Sequence, residues 1–189
     1  MKILVACEFS GTVREAFASR GHDAWSCDIL PTELPGQHYQ GDVMDILNDG
    51  WDMMIAHPPC THLAVSGARH FEAKRKDGRQ QQGITFFMEM INAPIEKIAV
   101  ENPVGIMSTI YKKPSQIIQP WQFGEDASKK TCLWLKNLEP LKPTKFIVKD
   151  RYSNQTPSGQ NKLGPSEDRW KERSITYQGI ADAMAEQWG

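Results

Sequence analysis

The chain has 189 residues, with 22 Lys and Arg against 23 Asp and Glu for a net charge of −1, and it is 40% hydrophobic and 24% charged. That length fits one domain, the composition excludes a disordered chain, and no apolar run approaches the roughly 20 residues of a bilayer span. A near-neutral chain exerts no overall electrostatic pull on nucleic acid, so any such pull is local.

Lys2 to Cys7 (KILVAC) is a short β-rich apolar run that passes straight into a turn at Ser10-Gly11. It reads as a first core strand rather than a signal peptide, which implies a cytoplasmic protein. In the following TVREAFASRG, Val13, Ala16 and Phe17 share one helical face, and Gly21 stops the helix. HDAWSCDIL predicts a second strand, WDMMIAH (51–57) another and KIAVEN (97–102) a further one, with a helical run, ITFFMEMINAP, just before it. Strands alternating with helical crossovers predict an α/β fold, a mostly parallel Rossmann-like sheet with helices on both faces. Ligands in such sheets bind beyond the carboxyl ends of the strands. Glu8 to Gly11, Asp28, His57 to Cys60 and Glu101 to Pro103 all fall at such ends, so four strand ends are expected to face one crevice.

Farther along, TCLWLKNL (131–138) and KFIVKD (145–150) predict two more strands. Residues 151–173 are polar, turn-rich and basic and read as an exposed loop, after which Ser174 is expected to cap a last helix carrying Ile180, Ala183, Met184 and Trp188 on one face. The whole of 1–189 reads as a single domain.

The four cysteines form no C-x-x-C pair. Cys7, Cys27 and Cys132 sit in apolar strand-like runs, where a free thiol behaves as a small hydrophobe. Cys60 is different. In AHPPCTHLAVSG it follows two prolines and lies between His57 and His62. A metal ligand, a structural thiol and a nucleophile are all open to it; the spacing fits no zinc ribbon or finger, which leaves no metal site expected. The prolines hold the loop extended and present the sulfur at the crevice, near the strand that ends in Glu101.

Phe9-Ser10-Gly11, Asp28, Gly41-Asp42-Val43, Pro58-Pro59-Cys60 and Glu101-Asn102-Pro103 occur in the order and approximate spacing of the S-adenosylmethionine-dependent cytosine C5 methyltransferases, and over most of its length the chain resembles that family. The resemblance implies a class I methyltransferase fold with S-adenosyl-L-methionine over the first strand ends. It implies Phe9 on the adenine; Ser10, Gly11, Thr12 and Val13 beside the methionine part; Asp28 with Ile29 at the ribose; and Asp42 with Val43 at the adenine amino group. It implies Cys60 as the nucleophile that adds to C6 of cytosine and Glu101 as the carboxyl that stabilises the ring as charge develops.

Departures accompany the likeness. Cys7 stands where the family has Asp, and Thr12, Val13 and Arg14 replace later residues of its glycine turn. Lys129 and Thr131 stand where it has arginines at the base site, and Lys129 inherits that catalytic place. Asp182, expected on the cofactor side, stands where Asn is usual. Only about 140–173 is available where the family carries a target-recognition domain, as in short types resembling those of phage and prophage genomes. DNA is therefore the expected partner, held with weak sequence specificity by basic stretches at 69–79 (Arg69, Lys74, Arg75, Lys76, Arg79) and 151–173 (Arg151, Lys162, Arg169, Lys171, Arg173). Two alternatives accompany this reading: an enzyme that modifies free pyrimidine nucleotides by the same thiolate addition, and a cofactor- or DNA-binding protein of the same fold without turnover.

Overall fold

The apolar run at the N-terminus becomes a central strand of a seven-stranded sheet. The computed structural model describes residues 1–164 and 166–189. In chain order the elements are β1 (Lys2–Ala6), α1 (Thr12–Ala18), β2 (Asp23–Asp28), β3 (His38–Gln40), β4 (Met53–Ala56), α2 (Phe71–Lys76), α3 (Arg79–Ile91), β5 (Lys97–Pro103), α4 (Met107–Ile110), β6 (Gln116–Ile118), β7 (Thr131–Lys136), α5 (Arg169–Ser174) and α6 (Gln178–Trp188). The strand order is β3-β2-β1-β4-β5-β7-β6. The first five strands run parallel, and β7 is antiparallel to both of its neighbours. The expected mostly parallel α/β sheet is present.

Alternation along β1 assigns its side chains to two cores. Ile3 and Val5 pack with Val13 and Phe17 of α1 and with Ile180, Met184 and Trp188 of α6. Leu4 and Ala6 face the other way, onto Phe87 and Met90 of α3. A strand covered on both faces reads as a continuous apolar run, as KILVA does. Burying a side chain such as Phe17 completely contributes about 1.5–3 kcal/mol. Among the described residues no helix is long and apolar enough to cross a membrane.

After β1 the chain crosses to β2 on one side and later to β4 on the other, so the strand order reverses at β1. The crevice at such a reversal is where open α/β sheets bind ligands. Its floor is built by two unexpected residues. The Glu8 carboxylate accepts from the backbone N–H of Val13 (2.6 Å) and Arg14 (3.1 Å), satisfying donors of the first turn of α1. Arg14, 1% exposed, donates to Ser26 and Thr32 hydroxyls (3.1 Å each) and to the carbonyls of Leu34 and Pro35 (2.9 Å each), so a single guanidinium holds the chain that follows β2. Gly36 permits this, because a Cβ there would meet the guanidinium at 2.7 Å.

Four expectations need correction. Cys7 lies beyond the end of β1, in left-handed backbone at φ 59°, a conformation uncommon for a residue other than glycine. KFIVKD does not join the sheet: it runs beside 121–124, making one bridge from Lys145 to Phe123, and its apolar spacing serves a Phe146–Trp121 contact instead of a core. The stretch 151–173 is not wholly loop, since α5 begins at Arg169. Ser174 ends α5 instead of capping α6, whose N-terminus is held by Glu125 accepting from Gly179 N–H at 2.9 Å.

Candidate active site

At the end of β1, Phe9 and Ser10 are buried and line a cavity with Cys7, Glu8 and His57. A second cavity lies beside it, lined by Glu101, Lys129, Thr131, Tyr177 and Met184, and Thr176 belongs to both walls. Each cavity holds only about 10 Å³ of free space, room for about one water molecule. Both fall below the roughly 300–1,000 Å³ of most small-molecule pockets.

The loop that carries Cys60 is laid along the end of β5. Asn102 Nδ2 donates to the Pro58 carbonyl at 2.8 Å, Val65 N–H to Val104 at 3.1 Å and Ile106 N–H to Leu63 at 3.0 Å. The Cys60 carbonyl accepts from Leu63 and Ala64, both at 2.9 Å, which folds the turn behind the thiol. Gly105 sits so close to Leu63 that a Cβ would collide with its carbonyl oxygen. Burial pushes the Cys60 thiol above its ordinary range and the Glu101 carboxylate adds to the rise, while Lys129 and Arg173 oppose it. The thiol therefore lies within the field of groups that surround the second cavity, although Cys60 is not part of its wall.

Glu101 lies near the end of β5 beside His57, the residue that follows β4. Their side chains are 15% and 8% exposed, with Nδ1 to Oε2 at 3.3 Å. Burial pushes the Glu101 carboxyl up, but the His57 hydrogen bond and the Lys129 charge outweigh it and hold the carboxyl below the usual range. His57 Nε2 is buried and has no hydrogen-bond partner.

α5 folds over this floor. Trp170 stands edge-on to the Phe9 ring at 6.4 Å between centroids, Lys171 Nζ lies 5.5 Å above that ring, and Lys129 Nζ donates to the Arg173 carbonyl at 2.9 Å. Ser174 and Thr176 complete the wall of the first cavity. Strap and floor together leave little free volume.

Gly11, Thr12 and Val13 form the turn into α1, with Gly11 at φ 76° and Val13 buried. Asp28 ends β2 half-buried, with Oδ1 accepting from Leu30 N–H at 3.0 Å, and burial raises its carboxyl. Ile29 next to it is 76% exposed. Asp42 is exposed and caps the turn Val43–Asp45 through Met44 N–H at 3.0 Å, while Val43 is buried in the core. Asp182 is not brought to the cavities: it accepts from Gln178 of its own helix at 2.9 Å, and Tyr177, Ile180 and Met184 of that region line the second cavity instead.

The basic stretch at 69–79 is partly committed. Lys74 is buried, donating to the Thr61 carbonyl behind Cys60 at 2.5 Å; Lys76 pairs with Glu72 at 2.9 Å and Arg79 with Asp77 at 2.5 Å. Lys74 thus supports the Cys60 loop and is not a surface cation. Among the described residues no group of three or more His, Cys, Asp and Glu side chains is placed to hold a metal ion. Sequence reasoning assigned no role to Glu8, His57 or Thr176. The only signal for the first two was their position directly after β1 and β4.

No protein-family model matches the chain, and no curated protein matches it in sequence. Among solved structures it is similar to a protein described as a DNA modification methyltransferase encoded within an E. coli prophage, with a TM-score of 0.51 and 17% identity over 77% of this chain and 51% of that one. The chain shares that protein's fold, a mostly parallel α/β sheet with helices. It spans about half the length of that structure, and at this identity the likeness is one of architecture.

Proposed function

We propose that the protein is an S-adenosylmethionine-dependent methyltransferase that acts on C5 of cytosine in DNA through a covalent bond between Cys60 and C6. The observation that carries the reading is the pinning of the Pro58-Pro59-Cys60 loop to Glu101-Asn102-Pro103 by the 2.8 Å bond from Asn102 to Pro58, beside the cavity that holds Phe9. The residues fit the methyl donor: Phe9 offers a ring in the cavity wall, and Asp28 carries a carboxylate at the neighbouring strand end. When bound, the donor supplies an electrophilic methyl group.

Cytosine C5 is a poor nucleophile, so the Cys60 thiolate adds to C6 and the displaced electron pair makes C5 reactive. As negative charge develops on the ring, Glu101, held by His57, passes the proton given up by the Cys60 thiol to N3 and accepts from the exocyclic amine, and Lys129 lies beside the carboxyl. After methyl transfer the C5 proton leaves, the C6–S bond breaks and the thiolate returns. Lys171 and Arg173 of the strap, with Arg151, supply charges for phosphates, which makes binding salt-dependent.

One observation favours a second substrate. Lys74 is buried and Lys76 and Arg79 pair within the chain, so the 69–79 stretch presents fewer cations to a strand than its sequence suggests, which favours a free pyrimidine nucleotide. Transfer of labelled methyl to DNA and to dCMP, by the unsubstituted protein and by Cys60→Ser, decides between them. DNA labelling that disappears in Cys60→Ser is expected. Labelling that persists in that variant, or a methyl on nitrogen instead of C5, contradicts the mechanism.

A further inference from the structure

Thr176 lines both cavities, and His57 links them by a side-chain hydrogen bond. His57 follows β4, forms part of the Phe9 cavity wall, and reaches Glu101 in the wall of the other cavity with Nδ1 at 3.3 Å from Oε2. A carboxylate only accepts hydrogen bonds, so Nδ1 must carry the proton of this contact. In the neutral ring Nε2 is then a bare lone pair, and it is buried without a partner in a side chain 8% exposed. A buried acceptor left unpaired bears its full desolvation penalty. The charged and titratable groups around the imidazole are Glu101 and Lys129 on one side and Glu8 and Cys7 on the other. None of the cavity neighbours donates to Nε2. Nε2 is thus placed to accept from a donor other than the described residues.

We propose that His57 is a positioning residue with two ends: Nδ1–H holds the Glu101 carboxylate at the base-side cavity, and Nε2 accepts from an N–H group of the methyl donor in the Phe9 cavity. The inference rests on reading the site as that of a methyltransferase. An N–H placed on Nε2 draws electron density across the ring and makes Nδ1–H a stronger donor to Glu101. Occupancy of the donor site is thereby transmitted to the carboxyl that meets the base, and the carboxyl is set only when methyl is at hand.

Two substitutions separate the ends, because the amide nitrogen of Asn lies where His Nδ1 lies and the amide of Gln reaches the place of Nε2. S-adenosylmethionine affinity is measured by calorimetry, and the Glu101 carboxyl is titrated by carbon NMR, identified by its loss in Glu101→Gln. His57→Asn is expected to leave the Glu101 titration in place and to weaken donor binding by about 3- to 10-fold, the worth of one hydrogen bond. His57→Gln is expected to keep donor affinity within about 3-fold while the Glu101 titration moves to higher pH and stops responding to the donor. In turnover the first variant raises the KM for the donor and the second lowers kcat. Variants that move both readouts together, or neither, overturn the inference whatever the DNA assay gives. Unsubstituted protein that binds the donor and shows this coupling, yet transfers no methyl to DNA, refutes the proposed reaction and leaves the role of His57 standing. Protein that binds no S-adenosylmethionine overturns both.

Discussion

The floor of the site and the strap above it are made in different ways. The floor, from β1 to β5, has strands buried on both faces, and its unusual residues are locked by buried polar contacts: Glu8 on the α1 amides, Arg14 on four oxygens, Asn102 on Pro58. The strap, 166–176, carries one short helix, touches the floor through an exposed Trp170 and a lysine over Phe9, and is tied to Lys129 by one bond. The floor therefore fixes where chemistry happens, and the strap decides what reaches it.

The largest effects belong to the floor. Glu101→Gln keeps the shape of the carboxyl but not its charge, and it is expected to lower turnover by about 10²- to 10³-fold, the usual loss on removal of a group that stabilises developing charge. Donor affinity measured in the same variant is expected to stay close to that of the unsubstituted protein. Arg14→Met acts on stability instead. It strands the Leu34 and Pro35 carbonyls, and urea unfolding is expected to show a loss of about 2–4 kcal/mol. A loss below about 0.5 kcal/mol would mean that the turn after β2 holds without the guanidinium.

The Cys60 thiol sharpens the comparison through pH. Its pKa is raised by burial and then by Glu101, so at neutral pH only a small fraction is thiolate. Below the pKa that fraction grows tenfold per pH unit. Initial rates of methyl transfer are accordingly expected to climb steeply between pH 6.5 and 8.5, and a flat profile over that range would remove thiolate addition from the rate. The smallest effect lies in the strap. An edge-on aromatic contact is worth about 0.5–1.5 kcal/mol, so Trp170→Ala is expected to speed donor association by roughly 2- to 10-fold in stopped-flow binding. Association that slows instead would make Trp170 part of the binding surface and not its cover.

What the sequence reveals follows the same division. The periodicity of KILVAC, WDMMIAH and KIAVEN reads directly as buried strands, because two-sided burial leaves a continuous apolar run. The crossover rule then places Phe9, Asp28, Cys60 and Glu101 at one edge of the sheet. KFIVKD misleads because Phe146 packs on the half-buried Trp121 while Val148 stays exposed, which periodicity cannot tell from a core. The descent of 166–176 onto Phe9 and Lys129 is invisible for a related reason: it depends on Lys129 reaching a backbone carbonyl 44 residues away, and any residue type supplies a carbonyl. His57 carries no local pattern at all. Its pairing with Glu101 exists only once β4 and β5 lie side by side.

Exposure of the protein to DNA containing 5-fluorocytosine, with S-adenosylmethionine present, tests the sulfur at position 60 most directly, because fluorine at C5 blocks proton loss and leaves an added thiolate bound. The account predicts a cross-linked strand whose attached peptide contains Cys60, and no cross-link in Cys60→Ser. A protein that methylates ordinary DNA yet forms no such adduct, or forms it at Cys7, Cys27 or Cys132, would contradict it.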